Sequence, residues 1–189
     1  MDFDLFSNNY LSFKWSIDIF FSLTDLPQRP SFIFQESNGI SKKVLYDRIS
    51  FLIEKGLLEK KVITLFPSHV EYKFTKDGEE IVPFLRELKG LEIDTEVLSY
   101  VFKYKWIKPI LISLSGKSLR AMELKKSIEG ISNKVLSERL RKLEKLQLID
   151  RKLTADVPVR VDYKTTDSGK RLAEFLTKFI KNTINKRLT

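Results

Sequence analysis

A chain of 189 residues with 34 Lys and Arg against 25 Asp and Glu carries a formal charge of +9, and it contains one histidine and no cysteine. The absence of cysteine excludes a disulfide framework, a zinc–thiolate site, a nucleophilic thiol and a thiol redox switch, and His69 has no second histidine with which to hold a metal or support a Ser-His triad. No apolar run is long enough to cross a bilayer, and Met1-Asp2-Phe3-Asp4 is acidic where a signal peptide is basic, so the chain reads as soluble and cytoplasmic, without a membrane partner.

At 42% hydrophobic and 12% aromatic, the chain can bury a core, and its length allows one large or two small domains. Charge divides it. Up to Glu92, 12 Lys and Arg face 14 Asp and Glu; beyond it, 22 face 11. A near-neutral half joined to a strongly basic one points to a polyanion at one end. No cluster of Asp, Glu, His or Ser stands at catalytic spacing, so neither an enzyme nor a cofactor is expected.

A shift of 91 residues lays Phe13–Leu85 on Tyr104–Leu176 without a gap, and 24 of the 73 positions are then identical. Lys14-Trp15 meets Lys105-Trp106, Gly39-Ile40-Ser41 meets Gly130-Ile131-Ser132, and Lys43-Val44-Leu45 meets Lys134-Val135-Leu136. Arg48, Leu52 and Leu57 meet Arg139, Leu143 and Leu148; Pro67, Tyr72, Thr75 and Gly78 meet Pro158, Tyr163, Thr166 and Gly169. Two copies of one small domain are expected, residues 1–90 and 91–189.

In the first copy, Pro27 and Pro30 around Arg29 predict a shortened second helix. Ile81–Val101 then joins the copies through two helices broken near Gly90. In the second copy, Asp94 or Thr95 caps a helix with Val97, Leu98, Val101 and Phe102 on one side. Pro109 suits the first turn of the next helix, which carries Ile110, Leu111 and Leu114 and ends at Gly116. A third helix is read from Leu119 to Ile128, with Met122, Leu124 and Ile128 apolar. Gly130 breaks the chain, and Ser132 caps a fourth helix whose Leu136, Leu140 and Leu143 form a buried stripe. Leu148–Leu153 and Val159–Thr165 read as a hairpin turning at Asp156-Val157-Pro158. Thr166 caps a last helix with Leu172, Phe175, Leu176, Phe179, Ile180 and Ile184 on one face. The fold class is mainly α with small β-hairpin wings: two tandem winged helix-turn-helix domains. Trp15 and Trp106 are expected as core anchors.

These residues resemble the HxlR family of winged-helix transcriptional regulators, within the wider MarR-like group. The resemblance lies in Lys105-Trp106, Arg120 with Glu123-Leu124, Gly130-Ile131-Ser132, Val135-Leu136, Arg139-Leu140 with Leu143, Pro158 with Val161-Asp162-Tyr163, and Thr166 with Gly169. It covers most of each copy. It implies sequence-dependent binding of double-stranded DNA, normally by a homodimer of single-copy chains, so this chain looks like a covalent pseudo-dimer; whether it pairs again to a homodimer stays open. By the same resemblance, Phe84, Leu85, Leu88 and Val97–Phe102 would pack against the last helix around Phe175, Phe179 and Ile180, whereas each helix could instead close only its own domain. Members that sense oxidants use an N-terminal cysteine, which this chain lacks. Gln147 stands where Gly56 and the family pattern have glycine; a left-handed turn there costs Gln about 1 kcal/mol, so a local difference is expected.

With Leu136 inward, steps of about 100° put Lys134, Ser137, Glu138 and Arg141 on the opposite face, with Asn133 at its N-terminal edge. A recognition helix turns such a face to the major groove. Lys134 and Arg141 can meet guanine or phosphate, Asn133 adenine, and Glu138 cytosine. The plainer alternative is a solvated face laced by Lys134–Glu138 and Ser137–Arg141. Arg151, Lys152, Arg160 and Lys164 make a basic wing able to track phosphates or enter the minor groove, although any exposed hairpin alternates charges. Arg120, matched by Arg29, either touches phosphate or bridges to an acidic residue. The first copy offers Lys42, Lys43 and Tyr46, with Asp47 and Ser50, and a wing with Lys60, Lys61 and a solvated His69. Its contacts are expected to be weaker, the basic second copy dominating. The alternative function is a tandem winged-helix scaffold for protein–protein assembly.

Overall fold

The computed structural model describes residues 10–37, 39–154 and 160–188, with side chains described at neither 154 nor 182–188. The chain forms two compact units, whose main bodies are Asn9–Ser99 and Tyr100–Thr189. The hairpin turn expected at Asp156-Val157-Pro158 and the side chain of Ile184 lie outside the described residues.

The first unit opens with a 3-10 turn, Tyr10–Ser12, and then α1 (Ser16–Leu23), α2 (Pro30–Glu36) and α3 (Lys42–Glu54). A hairpin of β1 (Leu58–Ile63) and β2 (His69–Phe74) follows, paired antiparallel from Leu58↔Phe74 to Ile63↔His69. After a 3-10 turn the unit closes on α4 (Val82–Lys89), and α5 (Thr95–Lys103) begins within it. Ile17, Phe20, Ile33, Leu45, Ile49, Leu52 and Leu85 fill its core. They recur three and four apart on α1 and α3, so each helix buries one stripe.

The second unit contains α6 (Ile107–Leu114), β3 (Leu119–Arg120), α7 (Ala121–Ser127), α8 (Asn133–Lys145), β4 (Ile149–Thr154), β5 (Arg160–Thr165) and α9 (Asp167–Leu188). Its sheet runs in the order β3-β5-β4, antiparallel throughout. Leu111, Leu114, Leu124, Leu136, Leu140, Leu143, Leu172 and Leu176 are buried. The expected caps form: Asp94 Oδ1 accepts from the Glu96 N–H at 2.7 Å, and Thr166 Oγ1 from the Gly169 N–H at 3.1 Å. From α2 to β2, each element begins and ends 91 residues before its counterpart among α7, α8, β4 and β5.

Four local expectations are corrected. The helix read from Leu119 starts at Ala121, because Leu119 and Arg120 pair with Tyr163 and Asp162 as β3. Met122, expected on its apolar side, is 63% exposed. The second helix of the first unit is not shortened: α2 has seven residues, as α7 has. Pro30 occupies its first turn, where the missing N–H loses no helical bond. Gln147 brings no local difference. It adopts φ +55 beside +72 at Gly56, and both helices end in the same Schellman pattern, Leu57 N–H to Leu52 O and Leu148 N–H to Leu143 O. Neither tryptophan is fully buried. The Trp15 ring edge lies 3.6 Å from where a Cβ on Gly39 would stand, and Trp106 stands 3.5 Å from the same point on Gly130. Each ring carries a lysine, Lys14 or Lys105, at 4.4 Å from its centroid. The repeated Lys-Trp and Gly-Ile-Ser motifs are thus two sides of one contact. The tryptophan covers a left-handed glycine that only a residue without Cβ fills comfortably.

Candidate nucleic-acid interface

The candidate surface starts from α8. Ser132 caps it, its hydroxyl accepting from the Val135 N–H at 3.3 Å, and Leu136, Leu140 and Leu143 turn inward. Asn133, Lys134, Ser137, Glu138 and Arg141 are all exposed. The Lys134–Glu138 ion pair weighed above does not form, and no ion pair holds Lys134 or Arg141 among the described residues. Two cations on one helix face therefore stay available to an outside anion.

Arg139, which sequence reasoning matched to Arg48 but gave no task, fixes the helix from its flank. Its guanidinium lies 4.1 Å from the Tyr104 ring centroid and donates to the Tyr100 hydroxyl at 3.2 Å, while the two rings stand 4.5 Å apart. Arg48 does the same on α3 with Phe13 (4.5 Å) and Phe51 (5.7 Å). The Nε atoms of both arginines are buried without a hydrogen-bond partner, so ring faces are a main part of what holds them. Burial lowers the Arg48 pKa, a shift that Asp47 opposes.

The wing of the second unit has two sides, because cross-strand partners project the same way. Arg120, Asp162 and Lys152 form one row across β3-β5-β4, with Arg120 Nε 3.6 Å from Asp162 Oδ1. Of the two roles weighed for Arg120, the acidic bridge is present. Lys164, on the same side, is 3.5 Å from Asp150. Arg160 shares that side and is exposed. Arg151 projects from the opposite side with Tyr163 and Leu119. The basic wing read as a single cluster is thus split, and Asp150 and Asp162 lie among the cations of one side.

In the first unit, Lys42, Lys43, Tyr46, Asp47 and Ser50 are exposed on α3. Lys60 lies opposite Tyr72, and Lys61 opposite Glu71. Burial, and then the neighbouring Tyr46, push the Tyr72 phenol above its ordinary value. His69 is not the solvated residue expected. It is half-buried, with Nε2 at 3.1 Å from Glu71 Oε1 and Nδ1 at 2.9 Å from the Pro67 carbonyl and 3.3 Å from Arg29 Nη2. No group of three or more His, Cys, Asp or Glu able to hold a metal occurs among the described residues, and none of their helices is long and apolar enough to cross a membrane.

A helix-turn-helix followed by a hairpin, built twice, with a cation-bearing recognition helix, defines a winged helix-turn-helix transcriptional regulator. Residues 10–95 and 101–186 each match the HxlR-like helix-turn-helix family, and the chain belongs to that family. It is similar to the uncharacterized HTH-type transcriptional regulator YvaP of Bacillus subtilis, 36% identical over 40% of this chain and 70% of YvaP. YkvN of the same organism, named in the same terms, is 35% identical over 47% of this chain and 75% of its own. Among solved structures, the reduced form of the transcriptional regulator YodB from B. subtilis aligns over 46% of this chain and 85% of that one, with 28% identity and a TM-score of 0.42.

Proposed function

We propose that the chain binds double-stranded DNA operators as a covalent pseudo-dimer, with residues 1–90 and 91–189 as the two reading copies and the second dominant. The observation that carries this is the outward face of α8. Asn133, Lys134, Ser137 and Arg141 are exposed together, and the two cations among them have no ion pair among the described residues. Arg151 adds positive charge on one side of the wing, and Lys152, Arg160, Lys164 and Arg120 add more on the other, beside two aspartates. Lys42, Lys43, Tyr46, Lys60 and Lys61 are the corresponding contacts of the first copy. They sit in a half of the chain with slightly more acidic than basic residues, which makes their share of the phosphate attraction smaller.

Two unequal readers in one polypeptide favour an operator whose halves differ, whereas a homodimer of identical subunits favours a palindrome. Selection from random duplexes, followed by a mobility-shift titration in salt, tests the proposal. Expected are two dissimilar half-sites and an affinity that falls with salt at a log–log slope of about −0.9 per phosphate contacted. No retention of any duplex at low salt refutes it and leaves protein–protein scaffolding as the reading to pursue.

A further inference from the structure

The tip of the first wing does not look like a solvated turn. Phe66 is 101% exposed, Leu65 78% and Val62 60%, each the most exposed residue of its type in the first unit, where Leu26 follows at 57% and Phe32 at 40%. We propose that Leu65 and Phe66 form an apolar wedge that enters the minor groove of duplex DNA beside the groove faced by α3, with Phe66 stacking against an opened base step. This inference rests on the DNA-binding reading above and adds to it a contact that is not electrostatic.

Three observations select DNA as the occupant. First, Lys60 and Lys61 lead into the tip, are exposed, and have no ion pair among the described residues, so two lysines stand at the foot of the apolar tip, with Glu71 across from Lys61. Second, Val62 and Lys60 share the wing side that carries Tyr72, and β1 leaves α3 through the short turn at Gly56. The tip therefore ends the strand that runs directly out of the recognition helix. From Lys60 to Ile63 the strand advances about 10 Å. That is close to the ~12 Å width of a major groove, a reach long enough for the tip to meet the adjoining minor groove. Third, three side chains at a hairpin tip offer a few hundred Å² at most, well below the ~800 Å² per partner of a stable protein interface. Such a tip is small for a dimer contact and of the right size for a wedge between two base pairs.

The test uses the full chain and a 40-base-pair duplex recovered by the selection described above, labelled at both ends for energy transfer. The variant Leu65→Ser with Phe66→Ser removes only solvent-exposed side chains, and an unchanged melting temperature confirms that it folds. Expected is a loss of about tenfold in affinity, the scale of one aromatic–base stack, with the salt slope unchanged and the duplex less bent. The control Lys60→Ala with Lys61→Ala should instead lower the salt slope. Parental affinity and parental bending in the folded serine variant overturn the wedge while leaving DNA binding intact. A serine variant that changes only the sedimentation of the free protein, with DNA binding unaltered, also overturns it, in favour of a contact between copies. Failure of the parental chain to bind any duplex would be visible before the variant is made, and it strikes the underlying reading rather than the wedge.

Discussion

The two units share a skeleton and differ in their surfaces. The skeleton is held by a few contacts that recur at the 91-residue spacing: tryptophan over a left-handed glycine, a serine cap on the recognition helix, an arginine against aromatic rings, and a threonine at the start of the closing helix. Around them the exposed positions have diverged. Tyr46 and Asp47 stand where Ser137 and Glu138 do, and Ser50 where Arg141 does. Arg29 faces His69, whereas Arg120 faces Asp162. Even the third strand differs: Gln28 makes a single bridge to Tyr72, while Leu119 and Arg120 make a two-residue strand. Pro30, two residues beyond Gln28, lacks the N–H that a second residue of this strand needs. The lesson is that a winged helix needs few fixed positions, and the remaining exposed ones are free to set affinity and specificity.

The largest expected effect breaks the shared skeleton. A Cβ on Gly78 or Gly169 would collide with the carbonyl oxygen of Leu57 or Leu148. Gly169→Ala should destabilise its unit by about 3 kcal/mol, measured by chemical denaturation, and Gly78→Ala should do the same to the other. An effect confined to one copy would show that the equivalence is only apparent. Next come the surfaces. Lys134→Ala with Arg141→Ala should weaken DNA binding by one to two orders of magnitude, about 1.4–2.8 kcal/mol, and flatten the salt slope by about 1.8. Lys42→Ala with Lys43→Ala should cost less, and a reversed order in the same titration would move the dominant reader to the first copy.

Smaller effects sharpen the contrast. Gln147→Gly should stabilise the second unit by about 1 kcal/mol in thermal melts, since it relieves a left-handed φ that Gly56 adopts freely. Smallest is Asp18→Asn. Burial, joined by Asp94 and Glu96, raises the Asp18 carboxyl above its ordinary 3.8, and the Thr95 hydroxyl at 2.7 Å opposes the shift. Folding thus favours its protonated form, and stability from this group grows as pH falls from neutrality through the raised pKa toward 3.8. Asn should therefore stabilise near pH 7 by under about 1 kcal/mol, the group being partly screened by solvent, and the gain should vanish by about pH 4. Melting temperatures of both proteins across that range check the sign.

Much of this was legible in the sequence because it is local. Ser132 before the Leu136–Leu140–Leu143 stripe and Thr166 before Leu172 announce caps and buried faces within a few residues of each other. What was missed depends on partners far along the chain. β3 is two residues long and exists through pairing with β5, so no local pattern marks it. The ring partners of Arg139 and Arg48 include Tyr104 and Phe13, well upstream of each. The separation of Arg151 from Lys152, Arg160 and Lys164 follows from strand register, which a list of basic residues does not contain. Gln147 was readable as an oddity, but residue type alone does not show that the Schellman bonds outweigh its strain. The recurrence of Arg48 and Arg139 at the common spacing was the one available signal that these side chains had a task.

One feature reaches beyond stability. The Thr166 hydroxyl donates to the Gln147 carbonyl at 2.8 Å and accepts from the Gly169 N–H at 3.1 Å, while the Thr166 N–H bonds the Leu148 carbonyl at 3.1 Å. Thr75 repeats the knot with Gly56, Gly78 and Leu57. The end of each reading helix is thereby spliced to the root of the helix that follows its wing, across a gap too tight for a methyl group. One threonine thus ties the tail of α8 to the root of α9 through its hydroxyl and its N–H together.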